Sequence, residues 1–285
     1  MFSVVVCVHN GEPWLAEQLE ALSRQDFADD WELLVVDDRS TDGSARTAEA
    51  WRTRLPLRVV PVTSGRGLAN ARNIGALTAV GEYLLFCDAD DVADERWLGE
   101  MAAASSSADL IGGHMEEALL NDESIRSWRM AFTPGSLPIA FGRWPCPAGA
   151  NFGMRASLLT SLGGFTAELA TGEEADVGIR AHLAGHPTVY VPDAVIHYRH
   201  RAGLRPLARQ AYRYGLGNVV LFERHRSAGL KETSYPAIAA TVARVAKGVP
   251  GAIVDGRRRG AWIRYVAYLA GQMVACVRLR VRWIG

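Results

Sequence analysis

Four short apolar runs in the first ninety residues alternate with longer segments of helical periodicity. The runs are SVVVCV (Ser3–Val8), WELLVV (Trp31–Val36), LRVVPV (Leu57–Val62) and EYLLFC (Glu82–Cys87). Short runs of this composition predict strands that are buried on both faces. Buried strands separated by helices are typical of a parallel sheet with helices packed on both sides. The pattern therefore predicts an α/β domain.

The segments between these runs predict helices. They are NGEPWLAEQLEAL (Asn10–Leu22), Ala45 to about Arg54, and GLANARNIGALTAV (Gly67–Val80). Pro13 suits a first helical turn, because the N–H that proline lacks has no intrahelical partner there.

The pattern is less regular after residue 90. It predicts a helix from Asp94 to about Ala104, a short strand at 109–112, a helix within 172–185 and two short strands around Pro192. The stretch 121–147 is too mixed to assign. From about residue 201 the chain is helical, basic and amphipathic. We therefore predict an α/β domain over residues 1–200 and a helical C-terminal region over residues 201–285.

Polar residues directly follow three of the predicted strands. They are His9 and Asn10, Asp37 and Asp38, and the group DADD (Asp88–Asp91). In parallel sheets, ligands bind beyond the carboxyl ends of the strands. Two carboxylates spaced Asp-x-Asp can share a divalent ion, and hard oxygen ligands suit Mg²⁺ or Mn²⁺. Considered alone, the group favours an acidic turn that caps a helix over a metal site.

The charge distribution separates the end of the chain from the rest. The 285 residues hold 31 basic and 31 acidic side chains, but 17 basic and only three acidic ones follow residue 195. Such a segregation predicts an anionic partner for the basic segment. We find no nucleic-acid-binding motif, so a membrane is favoured over nucleic acid.

The cysteines and the N-terminus predict a cytoplasmic location. Four cysteines lie far apart, and Cys7 and Cys87 fall within predicted strands, where a buried free thiol is usual. The first strand begins almost at Met1, which leaves no room for a signal peptide.

Six motifs, in this order, closely resemble the family 2 inverting glycosyltransferases. They are SVVVCVHN, WELLVVDDRSTDGS, GRGLANARNIGALTAVGEYLLFCDADD, GANFGMRASLLTSLGGF, GEEADVGIRAHLAG and VYVPDAVIHYRHR. The resemblance covers about residues 2–201 and implies the Rossmann-like GT-A fold, with a central, mostly parallel sheet. It also implies a metal-dependent, hexosyltransferase-type enzyme that uses a nucleotide-diphosphate sugar.

The resemblance assigns the acidic group to metal binding. Asp90 matches the direct ligand of Mn²⁺ or Mg²⁺, and Asp88 matches a residue that reaches the ribose or a metal-bound water. Asp91 would support the site or cap the next helix. His197 matches a further metal ligand in many relatives, with His200 as a weaker alternative.

The resemblance also assigns residues to the nucleotide sugar. Asp38 matches the carboxylate that contacts the base, where it can accept a hydrogen bond from an imide N–H. Asn10, Val8 and Ala89 would line the same pocket at the strand ends. For Asn10 a turn is the competing interpretation, and an Asx-turn or cap suits Asp42 better than Asp38.

Arg72, on an early turn of a predicted helix, matches a position beside the diphosphate. A guanidinium there could pair with phosphate oxygens. The competing interpretation is a salt bridge to the acidic loop.

The catalytic base would be a carboxylate at the start of the helix within 172–185. Relatives usually have Glu-Asp there, and this chain has Glu173 and Glu174. By position Glu174 is the base, with Glu173 able to share the work. Asp176 is a weaker candidate that could instead hold the helix start or a nearby arginine. The general alternative is that acidic residues stabilise a helix N-terminus.

Two segments depart from the family pattern. Relatives often read Pro-Thr-Tyr-Asn at positions 7–10, and Gly or Asn at position 39, where this chain has Arg39. Both segments line the predicted nucleotide pocket, so the identity of the base stays open. Trp144 could stack on a sugar or simply pack beside its prolines.

The segment 262–285 predicts contact with a membrane surface. Thirteen uncharged residues between Arg264 and Arg278 are too few to span a bilayer. Aromatic and basic borders suit a helix in the headgroup region, and GRRRG (Gly256–Gly260) adds a polybasic patch. The alternative is a C-terminal helix packed on the protein.

The sequence thus predicts an inverting glycosyltransferase whose acceptor is a glycan or a lipid-linked saccharide, located in the cytoplasm or on the inner face of the cell membrane. Two alternatives are a catalytically inactive sugar-nucleotide-binding subunit, which Glu174 in place of Asp would favour, and a sugar nucleotidyltransferase. The latter needs a Gly-rich phosphate loop after the first strand, and HNGEPW lacks one.

Overall fold

The computed structural model describes residues 1–129, 132–133 and 135–284. The strands are β1 (Phe2–Val8), β2 (Trp31–Asp37), β3 (Leu57–Pro61), β4 (Tyr83–Asp88), β5 (Val92–Ala93), β6 (Leu110–Glu116), β7 (Ile139–Ala140), β8 (Trp144–Pro145), β9 (Asn151–Arg155) and β10 (Val189–His197). The helices are α1 (Glu12–Ser23), α2 (Ser44–Ala50), α3 (Leu68–Thr78), α4 (Trp97–Ala104), α5 (Glu123–Arg126), α6 (Ala156–Ser161), α7 (Glu173–Leu183), α8 (Leu204–His225), α9 (Tyr235–Val254) and α10 (Gly256–Leu279).

Eight strands form one mostly parallel sheet in the order β3-β2-β1-β4-β9-β6-β10-β5. The first four neighbours pair in parallel, as the apolar runs predict. β9 runs antiparallel between β4 and β6, and β5 runs antiparallel to β10. The predicted α/β class and Rossmann-like sheet are confirmed.

The sheet is covered on both faces. Alternate residues of a strand point to opposite sides, so Val4 and Val6 of β1 join one core cluster and Val5 joins the other. Leu15 of α1 packs in the first cluster and Val177 of α7 in the second. This double burial explains why these strands are apolar at every position.

Two strands differ from the prediction. β10 is one strand rather than two short ones, with a shift in register between Val191 and Val195 around Pro192. Proline lacks a donor for the ladder, and a bulge is where a strand tolerates it. β9 was not predicted, because Asn151 and Gly153 interrupt its apolar pattern.

The chain folds into two compact units. The first comprises Met1–Leu119, Phe132–Glu168 and Glu173–Arg199, and it contains the sheet. The second comprises Leu120–Ala131, Leu169–Gly172 and His200–Gly285. The longest segment of the second unit begins at His200, and the other two segments come from earlier in the chain.

The second unit is helical, as predicted. α8 and α10 pack closely. A Cβ atom on Gly215 of α8 would collide with the carbonyl oxygen of Tyr268, and one on Gly271 of α10 would collide with that of Tyr212. Leu269 and Gln272 of α10 are buried in this contact. Over much of its length, α10 is therefore a packed helix, which was the alternative to a helix in the headgroup region.

Candidate active site

The carboxyl ends of β1, β2 and β4 lie side by side. Val8 and Cys7 of β1 are in register with Asp37 and Asp88. The N–H of Asp38 donates to the Val8 carbonyl oxygen over 2.8 Å. Parallel topology thus gathers the polar strand ends at one edge.

Gly11 lies against this edge. A Cβ atom on Gly11 would lie 2.8 Å from Val8 Cγ2 and 4.0 Å from Ala89 Cβ. Because a side chain at position 11 would collide with Val8, the chain passes closely over the ends of β1 and β4. Val8 and Ala89, both predicted to line a pocket, are therefore neighbours.

Three aspartates form a compact acidic cluster. One carboxylate oxygen from each of Asp88, Asp90 and Asp91 lies within 4.8 Å of the others. Asp91 is 1% exposed, and its Oδ1 accepts a hydrogen bond from the Arg199 N–H over 2.7 Å. Its Oδ2 is buried and accepts no hydrogen bond from the described residues. Burial, followed by the charges of Asp88 and Asp90, raises the pKa of Asp91 well above its usual range.

This cluster fits a hard divalent cation. A buried carboxylate oxygen without a donor costs free energy that a cation would recover. Carboxylate oxygens are the ligands that Mg²⁺ and Mn²⁺ prefer. The sequence assigned Asp91 only a supporting role, whereas its position is as central as that of Asp88 and Asp90.

Two residues that the sequence did not single out hold the acidic loop. The fully buried Gln18 donates from Nε2 to the Asp88 carbonyl oxygen over 3.1 Å and accepts from the Ala93 N–H over 2.9 Å. Arg199 donates from Nε to the Asp90 carbonyl oxygen over 2.9 Å. Only the basic character of the YRHR stretch pointed towards Arg199, and no sequence signal pointed to Gln18.

Arg72 is buried among acidic groups. It is 2% exposed and donates to Glu173 Oε1 over 2.9 Å and to Asp88 Oδ1 over 3.2 Å. It also donates to the Gly149 carbonyl oxygen over 2.6 Å. Burial alone would lower the pKa of the guanidinium, but Glu173 and Asp88 outweigh it and raise the pKa. The salt bridge, one of the two interpretations of Arg72, is thus the arrangement in the structure.

Glu174 lies beside this ion-pair network. A Cβ atom on Gly149 would lie 3.3 Å from Glu174 Cδ and 3.4 Å from Arg72 Nη1. Desolvation, followed by the charge of Glu173, raises the pKa of Glu174 to about 8. The residue as a whole is half-buried. A carboxyl group with a pKa near neutrality is suited to accept a proton.

Asp176 has a structural role. It is fully buried, and its Oδ2 accepts from Thr166 Oγ1 over 2.8 Å and from Arg180 Nε over 2.9 Å. The sequence offered two roles for Asp176, catalysis or holding a nearby arginine. The structure has the second arrangement, with Arg180 as the arginine.

The predicted nucleotide-binding residues at the ends of β1 and β2 stabilise a turn. Asn10 has a φ of 53° and accepts on Oδ1 from the Thr41 N–H over 2.8 Å. Asp38 Oδ2 accepts from the Gly67 N–H over 2.9 Å. Arg39 has a φ of 57°, a left-handed conformation that favours Gly or Asn. This conformation agrees with the Gly or Asn that the family resemblance leads us to expect at position 39.

Asp42 forms the turn predicted for it. Its Oδ1 accepts from the Ser44 N–H over 3.0 Å, and its Oδ2 accepts from the Glu12 N–H over 3.1 Å. The Asx-turn expected at Asp42 rather than Asp38 is confirmed.

His197 is not brought into the aspartate cluster. Its Nδ1 lies 2.9 Å from Glu116 Oε2, and its Nε2 lies 4.0 Å from Asp94 Oδ2. Burial opposes ionisation of Glu116, but hydrogen bonds from His197 and two backbone N–H groups lower its pKa. Metal ligation by His197 therefore stays a prediction.

The remaining two candidates lie elsewhere. His200 belongs to the second unit, where its N–H donates to Asn121 Oδ1 over 2.7 Å. Trp144 is 1% exposed, and the Arg143 guanidinium lies 4.8 Å from its ring centroid. Its burial agrees with packing rather than with sugar stacking.

The sequence profile described as Glycosyl transferase family 2 matches residues 3–163. This chain belongs to that family. The match includes β1 from residue 3, β2 to β4, the acidic cluster and β9, and it ends before α7, which carries Glu173 and Glu174. The resemblance inferred from the six motifs is therefore confirmed.

Two curated relatives extend this result. A poly(ribitol-phosphate) β-N-acetylglucosaminyltransferase, TarS of Staphylococcus aureus, is 38% identical over 104 residues, which are 36% of this chain and 18% of TarS. Glycosyltransferase AglE of Haloferax volcanii is 25% identical over 221 residues, 76% of this chain and 72% of AglE. The chain thus aligns with less than a fifth of TarS but with most of AglE.

Two solved structures share the fold. The mannosyltransferase PcManGT from Pyrobaculum calidifontis, in complex with GDP-Man and Mn²⁺, superposes with a TM-score of 0.65 at 20% identity, covering 96% of this chain and 86% of the other. TarS residues 1–349 in complex with UDP-GlcNAc superposes with a TM-score of 0.59 at 20% identity, covering 100% and 93%. The GT-A fold expected from the sequence is confirmed.

Proposed function

We propose that this family 2 protein is a metal-dependent inverting glycosyltransferase, which moves a sugar from a nucleotide-diphosphate donor to an acceptor hydroxyl. The observation that carries the proposal is the position of Arg72. One buried guanidinium joins Asp88 of the acidic cluster to Glu173, next to Glu174. The carboxylates that would act at the leaving group and the carboxylate that would act on the nucleophile are thereby held in fixed relative positions.

The donor would bind at the strand ends. Asp38 would accept a hydrogen bond from the base, with Val8, Asn10 and Ala89 forming the adjacent wall. Donors in complexes of fold relatives include UDP-GlcNAc and GDP-Man, and we leave the nucleotide of this chain open within that class.

Asp88, Asp90 and Asp91 would hold Mn²⁺ or Mg²⁺. The bound ion would supply neutralisation of the negative charge that develops on the departing nucleoside diphosphate. The positive charge of Arg72 would also stabilise the departing diphosphate, and its ion pair with Asp88 keeps that carboxylate in place. Arg199 and Gln18 hold the loop backbone through the carbonyl groups of Asp90 and Asp88.

Glu174 would act as the general base. Its carboxylate takes the proton from the acceptor hydroxyl while the hydroxyl oxygen bonds to the anomeric carbon. The bond from that carbon to the diphosphate oxygen breaks on the opposite face, so configuration inverts. A pKa near 8 makes Glu174 a stronger base than an ordinary carboxylate. Glu173, neutralised by Arg72, would orient it.

The acceptor would be a glycan or a lipid-linked saccharide, in the cytoplasm or at the inner face of the cell membrane. The basic C-terminal region supports a contact with anionic membrane. Relatives such as the poly(ribitol-phosphate) β-N-acetylglucosaminyltransferase TarS support the class of acceptor without choosing one.

The test is transfer and donor binding by two variants. Glu174→Gln should lower turnover by about 10²–10⁴-fold, the usual contribution of a general base, while donor affinity is retained. Asp90→Ala should make donor affinity insensitive to added Mn²⁺. The exposed Glu49→Gln is the matched control and should behave as wild type. Wild-type turnover by Glu174→Gln would refute its assignment as base.

The inactive-subunit alternative has a separate test. Donor hydrolysis by the wild-type protein with Mn²⁺ but without acceptor should be slow but measurable for an enzyme. If donor binds and no acceptor in a glycan panel is ever glycosylated, a binding subunit is the better description.

A further inference from the structure

Helix α9 in the second unit exposes an apolar stripe. Tyr235, Val242, Val249 and Ile253 lie on one side of the helix, because successive members are about one or two turns apart. They are 69%, 63%, 38% and 68% exposed. Ala239 and Ala246 lie between them and are also exposed. By length and composition, α9 qualifies as a membrane-crossing helix, with only 11% of the window buried.

The side of α9 next to the stripe packs against α10. Trp262 of α10 donates from Nε1 to the Val245 carbonyl oxygen over 3.0 Å, and its ring lies where a Cβ atom of Gly248 would be. Ala252 is buried on the same side. The exposed stripe is therefore not the inner face of a helix whose packing partner is missing.

The turn between α9 and α10 continues the exposed apolar surface. Val254 is 82% exposed and directly follows Ile253. Arg259 donates from Nε to the Ala252 carbonyl oxygen over 3.0 Å and from Nη2 to the Ile253 carbonyl oxygen over 3.0 Å. These bonds satisfy the last carbonyls of α9 and fix an apolar tip beside the polybasic segment 257–259.

The charge around the stripe has one sign. From Tyr235 to the end of the chain there are nine basic residues and a single acidic one, Asp255. The three arginines of the segment 257–259, all exposed, closely follow the tip, whereas the exposed Arg244 and Lys247 lie on the side of α9 away from the stripe. An apolar face bordered by cations is complementary to a bilayer surface that contains anionic lipid.

We infer that the α9 stripe and the 253–254 tip, with the cations beside them, bind the surface of an anionic lipid bilayer. α9 would lie in the headgroup region rather than cross the membrane, because Arg244 and Lys247 near its middle would be costly in hydrocarbon. Pairing of the stripe with a second copy is disfavoured, because both copies of this region carry the same excess of positive charge.

This inference deepens the membrane contact of the proposed function, and it moves that contact from segment 262–285 to α9 and its C-terminal turn. It concerns binding only. It can therefore fail or succeed independently of the glycosyltransferase assignment, provided that binding is measured without turnover.

The test is co-flotation of the full chain with vesicles of phosphatidylcholine, with and without phosphatidylglycerol. Wild type should float with the mixed vesicles, and less so as salt is raised. Val242→Glu and Ile253→Glu should each weaken partitioning into the vesicles by about tenfold or more, since each removes an apolar side chain that the bilayer would bury. Arg257→Gln with Arg258→Gln should weaken it by about tenfold, and only on anionic vesicles.

Leu77→Glu is the matched control, because Leu77 is 87% exposed on α3 of the first unit. It should float as wild type does. Equal loss in Leu77→Glu and Val242→Glu, or normal flotation of Ile253→Glu, would overturn the assignment to α9. Absence of flotation, with a concentration-dependent dimer that Val242→Glu abolishes, would assign the stripe to a second copy instead.

Discussion

Two regions of the molecule depart from the usual placement of charged and apolar side chains, in opposite directions. The first unit buries Arg72, Glu173 and Asp91, whereas the second unit exposes Val242 and Ile253. Charged residues are rarely buried without partners, and large apolar side chains rarely form a continuous exposed stripe. The buried charged groups of the first region have hydrogen-bond partners within the chain, except at Asp91 Oδ2. The exposed apolar side chains of the second region are not covered by the described residues. The first is the site of the proposed chemistry and the second the site of the proposed association.

The largest effect should follow from removing the buried cation. Arg72→Met would leave Glu173 and Asp88 without their shared partner, and breaking a buried ion pair from one side costs about 3–5 kcal/mol of unfolding free energy. Urea denaturation measures this loss.

The matching change in the other region is Val242→Ser. Because Val242 is 63% exposed, the substitution should change the unfolding free energy of the protein by less than about 0.5 kcal/mol. If Arg72→Met proved as mild as Val242→Ser, the two regions would not differ in the way proposed.

A second prediction concerns the close packing of α8 and α10. Gly271→Ala places a methyl group against the Tyr212 carbonyl oxygen, so the helices must separate, at a cost of about 1–3 kcal/mol. Thermal unfolding should show the lower stability.

Gly256→Ala, at the start of the same helix, is the control. A Cβ atom there meets nothing within 4 Å, so stability should be unchanged or slightly higher. Equal behaviour of the two variants would mean that α10 is not held against α8 and would weaken the distinction between the packed α10 and the exposed α9.

A third prediction uses the pKa of Glu174. If Glu174 is the base, kcat/KM should rise with pH up to about 8 and then level off. Its folded-state pKa lies above the ordinary value of 4.5, so the fold favours the neutral form. Stability from this group is full at low pH and is lost as the pH rises from 4.5 to about 8.

Glu174→Gln should remove that loss. At pH 9 the variant should exceed wild type in unfolding free energy by on the order of 1–3 kcal/mol, and near pH 4 the two should be similar. Urea denaturation at both pH values measures the difference. A variant that is less stable than wild type at pH 9 would show that Glu174 is not desolvated as described.

The elements around the site follow from local sequence patterns, and their contacts do not. β1 to β4 were predictable because both faces are buried and their apolar runs are continuous. β9 was not, because Asn151 is polar and fully buried. Its Oδ1 accepts from Trp97 Nε1, and its Nδ2 donates to the carbonyl oxygens of His114 and Ala194. These partners are distant in sequence, so no local pattern reveals that Asn151 is satisfied inside the sheet.

The same limit applies to the site and to the membrane surface. Asp88 and Asp90 could be singled out because parallel topology brings strand ends together. The choice between phosphate and carboxylate partners for Arg72 depends on Glu173, which lies 101 residues away. Charge counting identified a basic region, but which of its helices exposes apolar residues depends on how α8 and α10 pack.

The smallest expected effect comes from Gly149→Ala in the first unit. The new methyl group would lie 3.3 Å from Glu174 Cδ and 3.4 Å from Arg72 Nη1, so these side chains must move by a few tenths of an ångström. We expect a stability change below about 1 kcal/mol but a fall in kcat of about three- to tenfold, because small displacements of catalytic groups are costly. Gly99→Ala on α4 is the control. Its Cβ atom would lie at a similar distance, 3.4 Å, from the Asp26 carbonyl oxygen, remote from the acidic cluster. The kcat of this variant should be unchanged. If both variants kept wild-type kcat, the buried charges would tolerate displacement, and their role would be structural rather than catalytic.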